Sequence, residues 1–363
     1  MTNVELTLPA WNLQESAGAK PMHIAGWKIA AHYGDPEAEY RAATAGVGLM
    51  DVSFLTKVTA AGKDHVEYLN RRLSQRVIDQ VPGQGQRANQ LSGEGRLEAD
   101  FVFYRATDEL SFLIAPPAVS GPYLQQLCDK YVFSEDARFE DHTAEWAAFA
   151  LLGPETPKVL AALDLTRPEG LGIRAACVAQ QKGYLMNVDF LAGAAVVLVP
   201  AADAPSVWAA MQREVVAAGG RAVGFLPFDS IRVEHGLAWW GIDLNDRAIP
   251  LEADLMAAIH TNKGCYPGQE TIAKILNLGH PARKLVGVVV ESDDPPVAGV
   301  TLQVDGKEAG TLTSSTWSPS LGRSIGLAMV RWAHRNAGTT LLLPGDIRAT
   351  VVALPFAPVD QSV

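Results

Sequence analysis

Asn262-Lys-Gly-Cys-Tyr-Pro-Gly-Gln-Glu-Thr271 gathers a thiol, two glycines, a proline and an acid into ten residues. Gly264 and Gly268 permit backbone angles that other residues resist, and Pro267 fixes its own φ, so the run is expected to form a rigid, tightly folded loop. Within it Cys265 is the chemical candidate. Lys263 lies two residues away, and a cation near a thiol stabilises the thiolate, the nucleophilic form. The plainer reading of a free cysteine is a small buried apolar residue, and that reading is kept for Cys128 and Cys177, which sit in apolar patterns. Gln269 and Glu270 can hold the loop's turns by hydrogen bonds or face a ligand.

Past this stretch, from Lys284 onward, the pattern turns to short strands with Gly and Pro turns, at 286–291, 301–304 and 347–354, and predicts a small all-β terminal domain. Before it, 57–61 reads as a strand and 63–73 as a helix with Val66, Leu69, Asn70 and Leu73 on one side. After the turn at Gly83–Gly85, strands over 99–105 and 110–115 flank the polar turn Ala106-Thr-Asp-Glu109, a hairpin signal, and Pro116-Pro117 precede a helix to about Tyr131. A second strand-and-helix series starts near Trp146, with strands to Leu152, near Cys177 and over 194–200, and helices from Glu155 and over 205–218. The expected class is α+β, in regions 1–145, 146–284 (carrying the Cys265 segment) and 285–363.

Composition narrows the function. The 363 residues are 48% hydrophobic and 19% charged, the range of a folded globular chain. Apolar runs such as 194–202 fall short of the ~20 residues that span a bilayer. The start has no basic residue before Glu5 and no long apolar stretch, unlike a secretory signal, so cytoplasm is the expected compartment. Three widely separated cysteines make no disulfide or Cys-x-x-Cys framework, and the histidines show no metal-site spacing, so no metal is expected. A net charge of −10 disfavours non-specific nucleic-acid binding.

Lys263-Gly-Cys-Tyr-Pro-Gly-Gln-Glu270 resembles the signature of the YgfZ group of folate-binding proteins, relatives of the glycine-cleavage T-protein. Ala25-Gly-Trp-Lys, Ala31-His-Tyr-Gly34 and Ala45-Gly-Val-Gly-Leu-Met-Asp-Val-Ser53 resemble early T-protein blocks, in the expected order. Ile231-Arg-Val-Glu-His-Gly236 resembles the R-x-E-x-G helix of both groups, and Ser314 to Gly322 with Ile325-Gly-Leu-Ala328 resembles their C-terminal domain. The resemblance spans about 22–343. It implies a three-domain fold around a central channel that holds tetrahydrofolate, closed by a C-terminal barrel-like domain.

It also implies roles. Arg232 is the expected folate anchor, with an inter-domain salt bridge as the plainer alternative. Glu234, Trp240, Lys263, Gln269 and Glu270 join it as cofactor-binding candidates, with Arg283, Lys284, Arg323 and Arg331 as basic residues for the anionic tail. T-proteins carry adjacent aspartates where this chain reads Gly95-Arg-Leu-Glu-Ala-Asp100, so the catalytic position falls on Ala99, or on Asp100 after a one-residue shift. The Y-T-G-E run of T-proteins is replaced by Asp189-Phe-Leu-Ala192, so Glu234 or Asp100 has to supply the pterin's acceptor. The resemblance implies an accessory protein for assembly or repair of iron–sulfur proteins, including tRNA-modifying ones, with Cys265 as the working thiol and transient partner contacts. The alternatives are a folate-dependent aminomethyltransferase or demethylase and a non-catalytic scaffold.

Overall fold

The computed structural model describes residues 6–356; the leader reading of residues 1–5 and the last seven residues of the C-terminal region lie outside the described residues. The chain groups into two compact units that interleave along the sequence. The first comprises 1–69, 77–87 and 101–228; the second comprises 70–76, 88–100 and 229–363. This grouping departs from the sequence boundary at 145/146, because strand Gly48–Asp51 pairs antiparallel with Trp146–Leu152, Ala150 lying opposite Met50.

In the first unit a six-stranded sheet runs in the order Ile173–Val178, Gln181–Val188, Ala194–Pro200, Trp146–Leu152, Gly48–Asp51, Arg221–Ala222. Helix Ala204–Ala217 carries Ala204, Val207, Trp208, Met211 and Val215 at helical spacing and buries them. Its Trp208 ring lies 5.5 Å from that of Phe149. Both belong to one core with Leu49, Leu151, Leu185 and Val197, side chains at alternate sheet positions. A five-stranded sheet follows the order Gly85–Leu91, Leu97–Arg105, Leu110–Ala115, Thr56–Ala61, Arg138–Asp141; the tip of its first hairpin, 88–100, groups with the second unit. The hairpin, helices and strands read from apolar period fall where expected to within a few residues. Gly85–Leu91 and Gln181–Val188 are additional strands, the first hidden by its polar residues.

The second unit is built on a closed barrel, ordered Arg283–Val290, Arg323–Arg331, Lys307–Ser318, Thr301–Val304, Thr340–Leu342, Arg348–Val352. Alternation gives its strands two buried faces. Val286, Val288, Val290, Ala328 and Val330 fill one cluster. Leu285, Ile325, Leu327 and Met329 pack in another with Leu97, Leu251, Tyr266 and Ile272. That second cluster seats helix Gln269–Leu278, the continuation of the Cys265 segment. The last three residues of the expected loop are therefore helix: the loop ends at Gly268, whose φ of 79° lies in the left-handed region. Gly264 does not adopt a positive φ.

Candidate functional site

All the proposed site residues lie in the second unit. The turn Ser92–Gly95 closes the hairpin, with Gly95 N donating to Ser92 O and Gly95 at φ 80°. Ala99 and Asp100 follow on strand Leu97–Arg105, both 0% exposed and pointing to opposite faces. Of the two positions left open from the sequence, Asp100 is the one with a carboxylate. Asn89, also 0% exposed, donates from Nδ2 to Asp100 Oδ1 at 2.7 Å. Asn89 is in turn fixed through its backbone: its N–H donates to Ser74 Oγ at 3.1 Å and its carbonyl accepts from Ser74 N at 2.9 Å. Ser74 Oγ itself donates to Ala258 O at 2.6 Å.

The Cys265 loop is tied to the same segment. Lys263 Nζ donates to the carbonyls of Asn70, Leu73 and Gln75 at 2.6, 2.8 and 2.8 Å. Asn70 lies in the last turn of helix His65–Arg72 and Leu73 follows it, so a cation here meets carbonyls that the helix leaves unsatisfied. Burial pushes the Lys263 ammonium down to about 8, and Arg76 adds to the shift. Its three donors are directed at 70–75, so Lys263 acts as a staple and not as the cation that activates Cys265. We expect Lys263→Met to lower stability by about 2–3 kcal/mol, since three carbonyls lose a charged donor. Urea unfolding with an unchanged midpoint would discard the staple.

Cys265 is exposed, and a side chain added at Gly264 would meet nothing within 4 Å. Tyr266 is buried, its N–H facing Gln269 Oε1 at 3.4 Å. A cavity of about 640 Å³ brings together Lys263, Tyr266, Gln269 and Glu270 with Ile272 and Leu276. Glu270 is exposed in the first helical turn, where the helix dipole favours an acid.

Arg232 is 1% exposed on helix Phe225–Glu234. Its guanidinium donates to Asp229 Oδ1 (2.8 Å), Leu237 O (2.8 Å), Asp243 Oδ2 (2.6 Å) and Ser314 Oγ (2.7 Å). Desolvation opposes the charge, but Asp243 and Asp229 outweigh it and hold the guanidinium above its ordinary range. Arg232 is ion-paired, but with Asp229 and Asp243, which lie with it in region 146–284, so the expected inter-domain salt bridge is instead a local one. Glu234 Oε1 accepts from the Ser318 and Ser320 hydroxyls. Trp239 is buried; Trp240 is half-buried with Nε1 3.5 Å from Leu97 O. Of the basic residues considered for an anionic tail, Arg283 pairs with Glu252 at 2.8 Å and Lys284 with Asp254, while Arg323 and Arg331 are exposed.

Sequence reasoning missed Asn89, Ser74 and Asp243. A signal existed for Asn89: Arg87 and Asn89 are polar at period two just before the turn at Ser92, a mark of a strand with one polar buried face. Among the described residues, no group of three or more His, Cys, Asp or Glu could hold a metal ion. No helix there is long and apolar enough to cross a membrane.

Comparison with known proteins fits this architecture. Residues 11–263 match the GCVT N-terminal domain and 283–357 match the glycine cleavage T-protein C-terminal barrel domain. The chain is 30% identical to an aminomethyltransferase of Rubrobacter xylanophilus, over 96% of this chain and 93% of that one. It is 29% identical to an aminomethyltransferase of Streptomyces avermitilis, over 95% of each. The crystal structure of the glycine cleavage system aminomethyltransferase T from Bartonella henselae superposes with a TM-score of 0.88 at 24% identity, covering 98% of both chains. A mixed α/β body followed by a closed six-stranded barrel is thus the T-protein fold, and the chain belongs to the glycine-cleavage T-protein family.

Proposed function

We propose that the protein transfers a one-carbon unit to tetrahydrofolate, as an aminomethyltransferase or a demethylase, with Asp100 as its proton-handling group. The observation that carries this reading is the carboxylate of Asp100, fully buried and oriented by the Asn89 amide. A general acid or base acts through a fixed position as much as through its affinity for a proton. The chemistry fits tetrahydrofolate, the cofactor of the family's aminomethyltransferases: a pterin presents N–H donors, and the carboxylate of Asp100 is an acceptor. Asp100, positioned by Asn89, and the half-buried ring of Trp240 would hold it. When bound, tetrahydrofolate supplies the nitrogen that carries the one-carbon unit. Asp100 holds or moves the proton at its Oδ atoms, and burial of the pair keeps water from competing for it.

The test is folate-dependent turnover, followed by chromatography of folate products after incubation with N-methyl and O-methyl donors. Asp100→Asn is expected to reduce the rate by about 100-fold or more, and Cys265→Ser to leave it near that of the parent. Full activity of Asp100→Asn would remove the assignment.

A second reading is favoured by one observation, the exposed Cys265 on a loop held by Lys263. In this YgfZ-type reading a cytoplasmic protein binds folate and uses the thiol in transient contact with iron–sulfur proteins, tRNA-modifying enzymes among them, without touching nucleic acid itself. Loss of iron–sulfur enzyme activity in cells carrying Cys265→Ser, with folate turnover intact, would place this reading first.

A further inference from the structure

The cavity of about 640 Å³ beside helix Gln269–Leu278 does not include Asp100 among its lining residues. Both of its walls belong to the second unit. One is the helix, which brings Gln269, Ile272, Ala273 and Leu276 to it at helical spacing. The other is the segment from Ile259 to Lys263, fixed by His260 N donating to Ser74 O at 3.0 Å and by the lysine staple. A hollow of this size between anchored walls is in the range of a small-molecule site. Tyr266 borders it and is 9% exposed, its ring packed in the cluster of Leu97, Leu251 and Ile272. A phenylalanine would pack there equally well. What tyrosine adds is a hydroxyl, and among the described residues that hydroxyl has no hydrogen-bond partner, yet it is not sealed from solvent. Burial pushes the phenol up, so the group stays neutral and can both donate and accept.

The charges around the cavity select the ligand. Lys263 commits its three donors to the carbonyls of Asn70, Leu73 and Gln75. Its ammonium stands 5.4 Å from the centre of the Tyr266 ring, so a face of the ring is taken and the hydroxyl remains as the polar end. His260 Nδ1 accepts from the Asn262 N–H at 3.1 Å; a ring nitrogen that accepts holds no proton, so this imidazole is neutral. Glu270 is then the lining charge that has neither an ion pair nor a hydrogen bond among the described residues. An anion entering here would meet a carboxylate and no uncommitted cation. We propose that this cavity binds a small organic cation, a protonated amine on an apolar body: the ammonium donates to the Glu270 carboxylate and the Tyr266 hydroxyl, and the body lies on Ile272, Ala273 and Leu276. Leu276, 43% exposed in the ligand-free protein, is the apolar surface that such a body would cover. The site is separate from Asp100 and does not rest on the folate reading.

Ligand-observed NMR titration of the full chain at neutral pH, with phenethylamine and phenylacetate as near-isosteric probes of opposite charge, tests it. We expect saturable binding of phenethylamine, about 10-fold or more tighter than that of phenylacetate. Tyr266→Phe, which keeps the ring in its cluster, is expected to weaken phenethylamine binding by about 3–10-fold, and Glu270→Gln by about 10-fold or more. Glu308→Gln makes the same charge change at an exposed barrel position and is expected to leave the affinity unchanged. Circular dichroism confirms that each variant is folded; Glu270 is exposed, so its variant carries the test if Tyr266→Phe is not. No saturable binding of phenethylamine overturns the inference, as does equal affinity for the two probes. Parental affinity in either folded cavity variant, or equal weakening by Glu308→Gln, overturns it as well.

Discussion

Gly268→Ala is expected to destabilise the protein by about 3 kcal/mol, from left-handed backbone strain together with overpacking. The φ of 79° is one that a side chain resists. A Cβ there would stand 2.6 Å from Gly95 Cα, 2.6 Å from Ser92 O and 2.8 Å from Gly95 N. Every one of these atoms is backbone, so no rotamer change relieves the contact. Either the hairpin turn moves away or helix Gln269–Leu278 shifts on its cluster. Gly264→Ala is the internal control: same motif, no atom within 4 Å, no positive φ, and an expected change under about 0.5 kcal/mol. Urea midpoints of the two variants test the contrast directly. Equal midpoints would mean that the motif and the Ser92–Gly95 turn do not approach as described.

Arg232→Ala should be comparably damaging, by about 3–5 kcal/mol, because removing one partner strands the buried carboxylate of Asp243. Asp243 has a 0% exposed side chain, while Asp229 is partly open to water and can relax. Four guanidinium hydrogen bonds go to the protein's own atoms, so the loss falls on folding and not on a ligand. Under conditions where the variant is folded, tetrahydrofolate affinity is expected to stay within about threefold, under 1 kcal/mol. Arg232→Ala combined with Asp243→Asn should recover part of the stability, since the stranded charge is gone; Trp239 N and the Thr313 and Ser314 hydroxyls still surround position 243. A selective loss of affinity in a fully stable Arg232→Ala protein would restore the anchor role instead.

The elements legible in the sequence were those whose apolar period is set by one buried face. Ala204–Ala217 and Trp146–Leu152 bury what their patterns announce. Gly85–Leu91 does not, because its inward side includes Arg87 and Asn89, whose partners lie elsewhere in the chain. The family blocks supplied candidate residues and not the hydrogen-bond partners those residues have. Lys263 stands two positions from Cys265, and proximity in sequence suggested proximity of charge to thiol. Its ammonium instead meets carbonyls some 190 positions away. The same holds for Arg232, whose main counter-charge, Asp243, sits across a turn at no periodic offset. Burial patterns are local properties of a sequence; the pairing of one polar group with another is decided by tertiary geometry.

The interleaving of the two units has a consequence for synthesis. The second unit is assembled from segments 70–76, 88–100 and 229–363, so the ribosome delivers Asn89 and Asp100 long before Lys263. At about 5–20 residues per second, the roughly 160 residues between Asp100 and Lys263 take about 10–30 s to appear. Throughout that interval the nascent hairpin carries its acid without the lysine staple or the Gly268 backbone that packs on its turn, and for nearly all of it without the Ala258 carbonyl that receives Ser74. Premature termination anywhere between 101 and 262 yields a chain that contains the acid and lacks both Lys263 and Gly268, a product whose polar strand is work for a chaperone or a protease.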